Sequence, residues 1–141
     1  MKILLAADNS EFTRRAARHL VTHLSWFAEP PEVLVLHVHP PIPYAGAAAA
    51  VGKRALDQYL EEDSEAALAM ATKELDKAKV RYTASWVTGK VAEEIAAAVT
   101  KNKVDLVVMG SHGEGALSNL VLGSVATKVI ASIKTPVLIV R

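Results

Sequence analysis

The sequence predicts an α/β fold built on an open, mainly parallel sheet. Two observations carry this. Four short runs are almost wholly apolar, as strands buried on both faces require: KILLAA (2–7), EVLVLHV (32–38), DLVVMG (105–110) and PVLIV (136–140). Between the runs, apolar residues recur at helical spacing. Strands alternating with helices wind a parallel sheet.

Each element follows in order. The first strand is 2–7. A helix from Glu11 to Phe27 carries Ala16, Leu20, Leu24 and Phe27 on one stripe. After the second strand, Ala55 to Lys79 repeats the pattern with Leu56, Leu60, Ala67, Ala71, Leu75 and Ala78. The run RYTASWV (81–87) alternates, which suits a strand near a sheet edge. Val91, Ile95 and Val99 mark a third helix, and Val121, Val125, Val129 and Ile133 a fourth. The order is β-α-β-α-β-α-β-α-β, and right-handed crossovers put helices on both faces. No repeat or linker divides the 141 residues, so a single domain is expected. The segment His39–Lys53, with three prolines, two glycines and an alanine run, is long for a connection. It reads either as a plain connector or as a lid at the end of the second strand.

Composition removes several function classes. Sixteen Lys and Arg balance fifteen Asp and Glu, a net charge of +1, so no basic stripe for nucleic acid is present. Without cysteine there is no disulfide, thiol catalysis or thiolate metal site. MKILLAADNS is too short in apolar character for a secretory signal, and no stretch is long enough for a membrane span. A soluble, cytoplasmic protein is expected.

In open α/β sheets, ligands bind beyond the carboxyl ends of the strands, where the winding reverses. Asp8 stands at the end of the first strand, and Gly110 at the end of the fourth. If those strands are neighbours, the two meet at one crevice. Four of the seven glycines fall in GSHGEGALSNLVLGS, Gly110–Ser124. Glycine in a loop supplies a positive φ or a close backbone approach. Gly123–Ser124 lies at the first turn of the last helix, whose free N–H groups and positive dipole end favour an anion. Ser124 can cap that helix or bind a phosphate oxygen, and successive loop amides can form an anion nest. The pattern is neither a Walker A loop, which needs Lys before Ser124, nor the G-x-G-x-x-G fingerprint. A turn whose glycines serve geometry alone remains the other reading.

The spacing Gly110-x2-Gly113-x9-Gly123-Ser124, with the flanking DLVVMG and SVATKVI, resembles the signature of ATP-binding members of the universal stress protein family. The opening strand closing in Asp8-Asn9-Ser10, the LHV of the second strand and the ending TPVLIVR are similar too. The resemblance spans the chain outside 39–53. It implies a five-stranded sheet of order 3-2-1-4-5, Rossmann-like, with ATP in the crevice. It implies Asp8 and the backbone of Val38 on the base and ribose side, and Met109 and Gly110 on the floor. Ser111, His112, Gly113, Gly123, Ser124 and Val125 would hold ribose and phosphates. Relatives act as nucleotide-binding regulators in stress responses, commonly as dimers, without dedicated catalysis in common. Glu114 departs from the basic residue of many relatives, which leaves ADP and AMP as ligands beside ATP.

Other candidates are weaker. Asp8 can coordinate Mg²⁺ together with phosphate oxygens, hydrogen-bond the ligand, or only cap the helix near Ser10. His37 with His39, and His19 with His23, have metal-compatible spacings but no third ligand. His112 sits inside the glycine loop and can donate to a phosphate or ribose. No second catalytic group is evident, so no reaction is assigned. The rival readings are a nucleotide hydrolase or adenylyl-transfer enzyme, and a ligand-free interaction module. The final run, 136–140, is an apolar edge strand that a two-fold mate would cover, so a homodimer is expected.

Overall fold

A computed structural model of the chain describes residues 1–42, 52–114 and 121–141. Five parallel strands form one sheet: β1 (Lys2–Ala7), β2 (Glu32–His39), β3 (Tyr82–Thr88), β4 (Leu106–Gly110) and β5 (Val137–Val140). Their order is β3-β2-β1-β4-β5, as the resemblance implied. Four helices connect them: α1 (Glu11–Thr22), α2 (Lys53–Lys77), α3 (Val91–Asn102) and α4 (Ser124–Ser132). No helix among the described residues is long and apolar enough to cross a membrane.

Alternating residues of the central strands feed two separate cores. Ile3, Leu5, Val33, Val35 and Val108 bury against Ala16, Ala17 and Leu20 of α1 and Ala71 and Leu75 of α2. On the other face Leu4, Leu36, Val38, Val107 and Met109 bury against Ile95 and Val99 of α3 and Ala126 and Val129 of α4. This is why the strands read as continuous apolar runs: neither face meets water. The alternating run is β3, which forms one edge of the sheet and is mostly exposed.

Three element limits differ from the sequence reading. The first helix stops at Thr22 instead of Phe27. His23 caps it, and Leu24–Trp26 tighten into one 3₁₀ turn. Phe27 still reaches the core, but from extended backbone. The last helix begins at Ser124, so Val121 lies outside it and is 75% exposed. In α2, the sheet-facing stripe is Ser64, Ala67, Ala71 and Leu75, while Ala78 lies past the end of the helix and is exposed. Most of the expected lid, residues 43–51, lies outside the described residues, as do residues 115–120 of the glycine loop.

The helices on the first face are tied by charge. Glu74 of α2 accepts from Lys77 at 3.1 Å and from Arg18 of α1 at 3.4 Å. These two cations hold its carboxyl below the ordinary value of 4.5.

Two stability outcomes are expected. Leu5 is fully buried in the central strand, so Leu5→Ala should lose about 2–5 kcal/mol in chemical denaturation, whereas Val121→Ala should change little. The folded pKa of Glu74 lies below its unfolded value. Its contribution is therefore present above the unfolded value and lost as pH falls through the folded one. Glu74→Gln should be less stable than the parent at pH 7, with the gap narrowing in the same assay as the pH falls below about 4.5.

Candidate functional site

β1 lies between β2 and β4, and all three end on the same side of the sheet. Beyond those ends opens a cavity of about 470 Å³. All ten residues singled out in the sequence line it: Asp8, Val38, Met109, Gly110, Ser111, His112, Gly113, Gly123, Ser124 and Val125. One wall is apolar, with Leu36, Val38, Val91, Ile95, Met109 and Val125. The turn after β4 and the first turn of α4 complete the lining.

Asp8 holds the turn into α1. Its Oδ1 accepts from the Ser10 N–H (3.1 Å), the Ser10 hydroxyl and the Thr13 hydroxyl (2.7 Å). The Asp8 N–H in turn donates to Thr13 Oγ1 at 2.8 Å. The helix N-cap is Ser10, whose side chain accepts from the Thr13 N–H, so Asp8 braces the cap and is not the cap itself. Its second oxygen, Oδ2, faces Gly113: a Cβ there would lie 2.6 Å from it.

The glycines serve close approach. Of the described glycines, only Gly52 has a positive φ. A Cβ at Gly110 would stand 2.5 Å from Phe12 Cβ, so the first turn of α1 lies directly on the end of β4. At Gly123 a Cβ would come within 3.1 Å of the Ser111 carbonyl. Two expected anion-binding amides are already engaged. The Ser111 N–H donates to the Val140 carbonyl, and the Gly123 N–H donates to the Ser111 carbonyl, both at 2.7 Å. These bonds pin the loop to β5 and to the start of α4. Ser124 is the first helical residue, behind Gly123 at the N-cap, and does not cap the helix with its side chain. The amides of Ser124, Val125 and Ala126 are those a helix start leaves without an intrahelical partner.

The histidines separate by environment. His37 is buried, and its Nδ1 lies 2.9 Å from the Ala7 carbonyl, so Nδ1 carries the proton. Its Nε2 is buried with no hydrogen-bond partner among the described residues. The ring lines the cavity, a position the sequence reading left among ordinary histidines. His39 bonds the Pro40 carbonyl through Nδ1, and its Nε2 lies 3.5 Å from Asp63. His19 and His23 stack at 4.1 Å beside Trp26, away from the cavity. Among the described residues, no three His, Asp or Glu converge on a metal position. In the loop, Ser111 Oγ lies 3.0 Å from His112 Nδ1, and the His112 ring packs 5.3 Å from Phe12.

Glu114 stands at the rim. Loss of hydration raises its pKa first, and the carboxylates of Asp8 and Asp63 raise it further, while His37 and His39 oppose them. Thr13, His37, Val91 and Ile95 were missed as site residues. Their sequence signals are those of a helix cap, a strand and a helix stripe. Only the neighbouring strand ends turn them toward a cavity.

The chain is similar to known proteins along its whole length. It is 36% identical over 145 residues to a Thermus aquaticus universal stress protein encoded in a QAH/OAS sulfhydrylase 3′ region, covering 99% of this chain and 97% of that protein. The solved structure of MJ0577, a universal stress protein of Methanocaldococcus jannaschii, superposes with a TM-score of 0.80 at 30% identity, covering 99% of this chain and 94% of that one. More distant structures share the fold. One is a universal stress protein in complex with cAMP (22% identity, TM-score 0.72, 100% and 97% covered). Another is an Arabidopsis thaliana family protein with AMP bound (18% identity, TM-score 0.68, 99% and 90% covered). With the family pattern matched along residues 1–141, the chain belongs to the Universal stress protein family.

Proposed function

We propose that this chain binds an adenine nucleotide and acts as a cytoplasmic, nucleotide-dependent regulator or scaffold in a stress response. The observation that carries the reading is one cavity joining two unlike surfaces. An apolar slot between Val38, Met109 and Ile95 suits a flat base, and a helix start whose first amides have no intrahelical partner suits phosphate. The volume, about 470 Å³, lies within the range of small-molecule sites. Relatives of the same fold hold cAMP and AMP, which supports the adenine choice. Asp8 and the Val38 backbone would take the base and ribose. His112, Gly113, Ser124 and Val125 would meet the phosphates, with ATP, ADP and AMP as the candidate ligands. The described residues form no metal set of their own. Mg²⁺ would therefore arrive with the phosphates, near Asp8 Oδ2.

β5 supports a second part of the reading. It forms an edge of the sheet, and its residues are only half-buried. An antiparallel contact between two copies would satisfy that open rim. Light scattering at micromolar concentration should give about twice the 15.1 kDa chain mass, and a single-chain mass would remove this part.

The site is tested by thermal shift with AMP, cyclic AMP, ADP, ATP and GTP. A nucleotide at about 100 times its dissociation constant should stabilise by about 2.7 kcal/mol. Gly113→Leu should abolish the adenine response while circular dichroism stays native, because the new Cβ meets only the end of the Asp8 carboxylate and no backbone. An equal response in Gly113→Leu would place the ligand elsewhere.

A further inference from the structure

The cavity carries a charge imbalance that the nucleotide reading leaves unexplained. None of its lining residues is Lys or Arg. The stretches outside the described residues, 43–51 and 115–120, contain neither residue type. Two carboxylates, Asp8 and Glu114, line the same walls. A triphosphate brings several negative charges, and sites for it usually oppose them with Lys, Arg or a cation.

The amides are also fewer than the loop suggests. Those of Ser111 and Gly123 are engaged within the protein. Among the described residues, the start of α4 brings the equivalent of roughly half a positive charge to the phosphate position. That can stabilise one phosphate group. It does not offset three beside a carboxylate.

The surroundings of Glu114 strengthen the effect. Asp8 at the end of β1 and Asp63 on α2 both act on it as like charges. His37 and His39 on β2 act in the opposite sense. Each histidine already has a backbone carbonyl as its Nδ1 partner. His112, on the same loop, lies beside Ser111.

We infer that Glu114 is a specificity-determining residue that selects the ligand by charge. This site takes a nucleoside monophosphate or cyclic monophosphate in preference to the di- and triphosphates. The inference rests on the nucleotide reading above and adds which phosphate state the site accepts. Glu114 acts by repelling added phosphates and contributes nothing to recognition of the base.

Calorimetric titration of the full chain in EDTA tests it, with adenosine, AMP, ADP and ATP as probes. EDTA removes divalent cations that would mask the repulsion. Affinity should fall from AMP to ADP to ATP, with AMP at least about tenfold tighter than ATP, a difference of about 1.4 kcal/mol. Glu114→Gln, which keeps the side-chain size, should raise the ATP-to-AMP affinity ratio about tenfold. Glu114→Lys should bring ATP above AMP. ATP binding as tightly as AMP to the parent chain would overturn the inference. So would a ratio unchanged by both substitutions. If adenosine and AMP bind and the phosphate ranking is flat or inverted, the charge inference alone fails. If none of the four binds, the nucleotide reading fails and takes the charge inference with it.

Discussion

β1 is enclosed on every side. Its edges pair with β2 and β4, Ile3 and Leu5 bury toward α1 and α2, and Leu4 buries toward α3 and α4. A strand with no wet face needs helices on both sides of the sheet. Right-handed crossovers can supply both layers only if the winding reverses direction at this strand. The reversal sends the connections after β1 and β4 to opposite faces, and a gap opens between the two strand ends. The cavity is thus a consequence of burying Lys2–Ala7, and its position is set before any ligand-contacting residue is chosen.

What surrounds the gap is governed by close contact more than by unusual backbone angles. Gly110 lets the first turn of α1 lie against the end of β4, and Gly113 leaves room for the Asp8 carboxylate. Asp8, Ser10 and Thr13 exchange hydrogen bonds that fix where α1 begins. The Ser111 amide is drawn to Val140, which fastens the loop to the neighbouring strand. The same bonds that make the rim rigid remove amides from the pool available to an anion. Rigidity and anion capacity are therefore in competition at the Ser111 and Gly123 amides.

The polar groups of the site divide in a similar way. Asp8 uses Oδ1 for architecture and turns Oδ2 toward the opening. His37 uses Nδ1 for the Ala7 carbonyl and keeps Nε2 buried with no partner among the described residues. A buried acceptor in that state is costly unless something completes it. Glu114, by contrast, keeps contact with solvent at the mouth and feels the other carboxylates from there. One pocket therefore holds an apolar wall and two carboxylates, Asp8 and Glu114.

By itself, the sequence determined the element types, their order and the place of the glycine loop. These are local properties: apolar periodicity tells a strand from a helix, and Gly110, Gly113 and Gly123 mark a loop whatever the fold. It also carried the family resemblance, and with it the strand order. Tertiary structure decided the rest. It ended α1 at Thr22, and it began α4 at Ser124, leaving Val121 exposed. It brought Asp8 against Gly113, buried His37 beside the cavity and paired Ser111 with Val140. The partner of an amide, and the charge around a cavity, depend on residues brought together from distant parts of the chain. Periodicity records only which side of an element is apolar, so it names the walls of this site and leaves open what faces what across it.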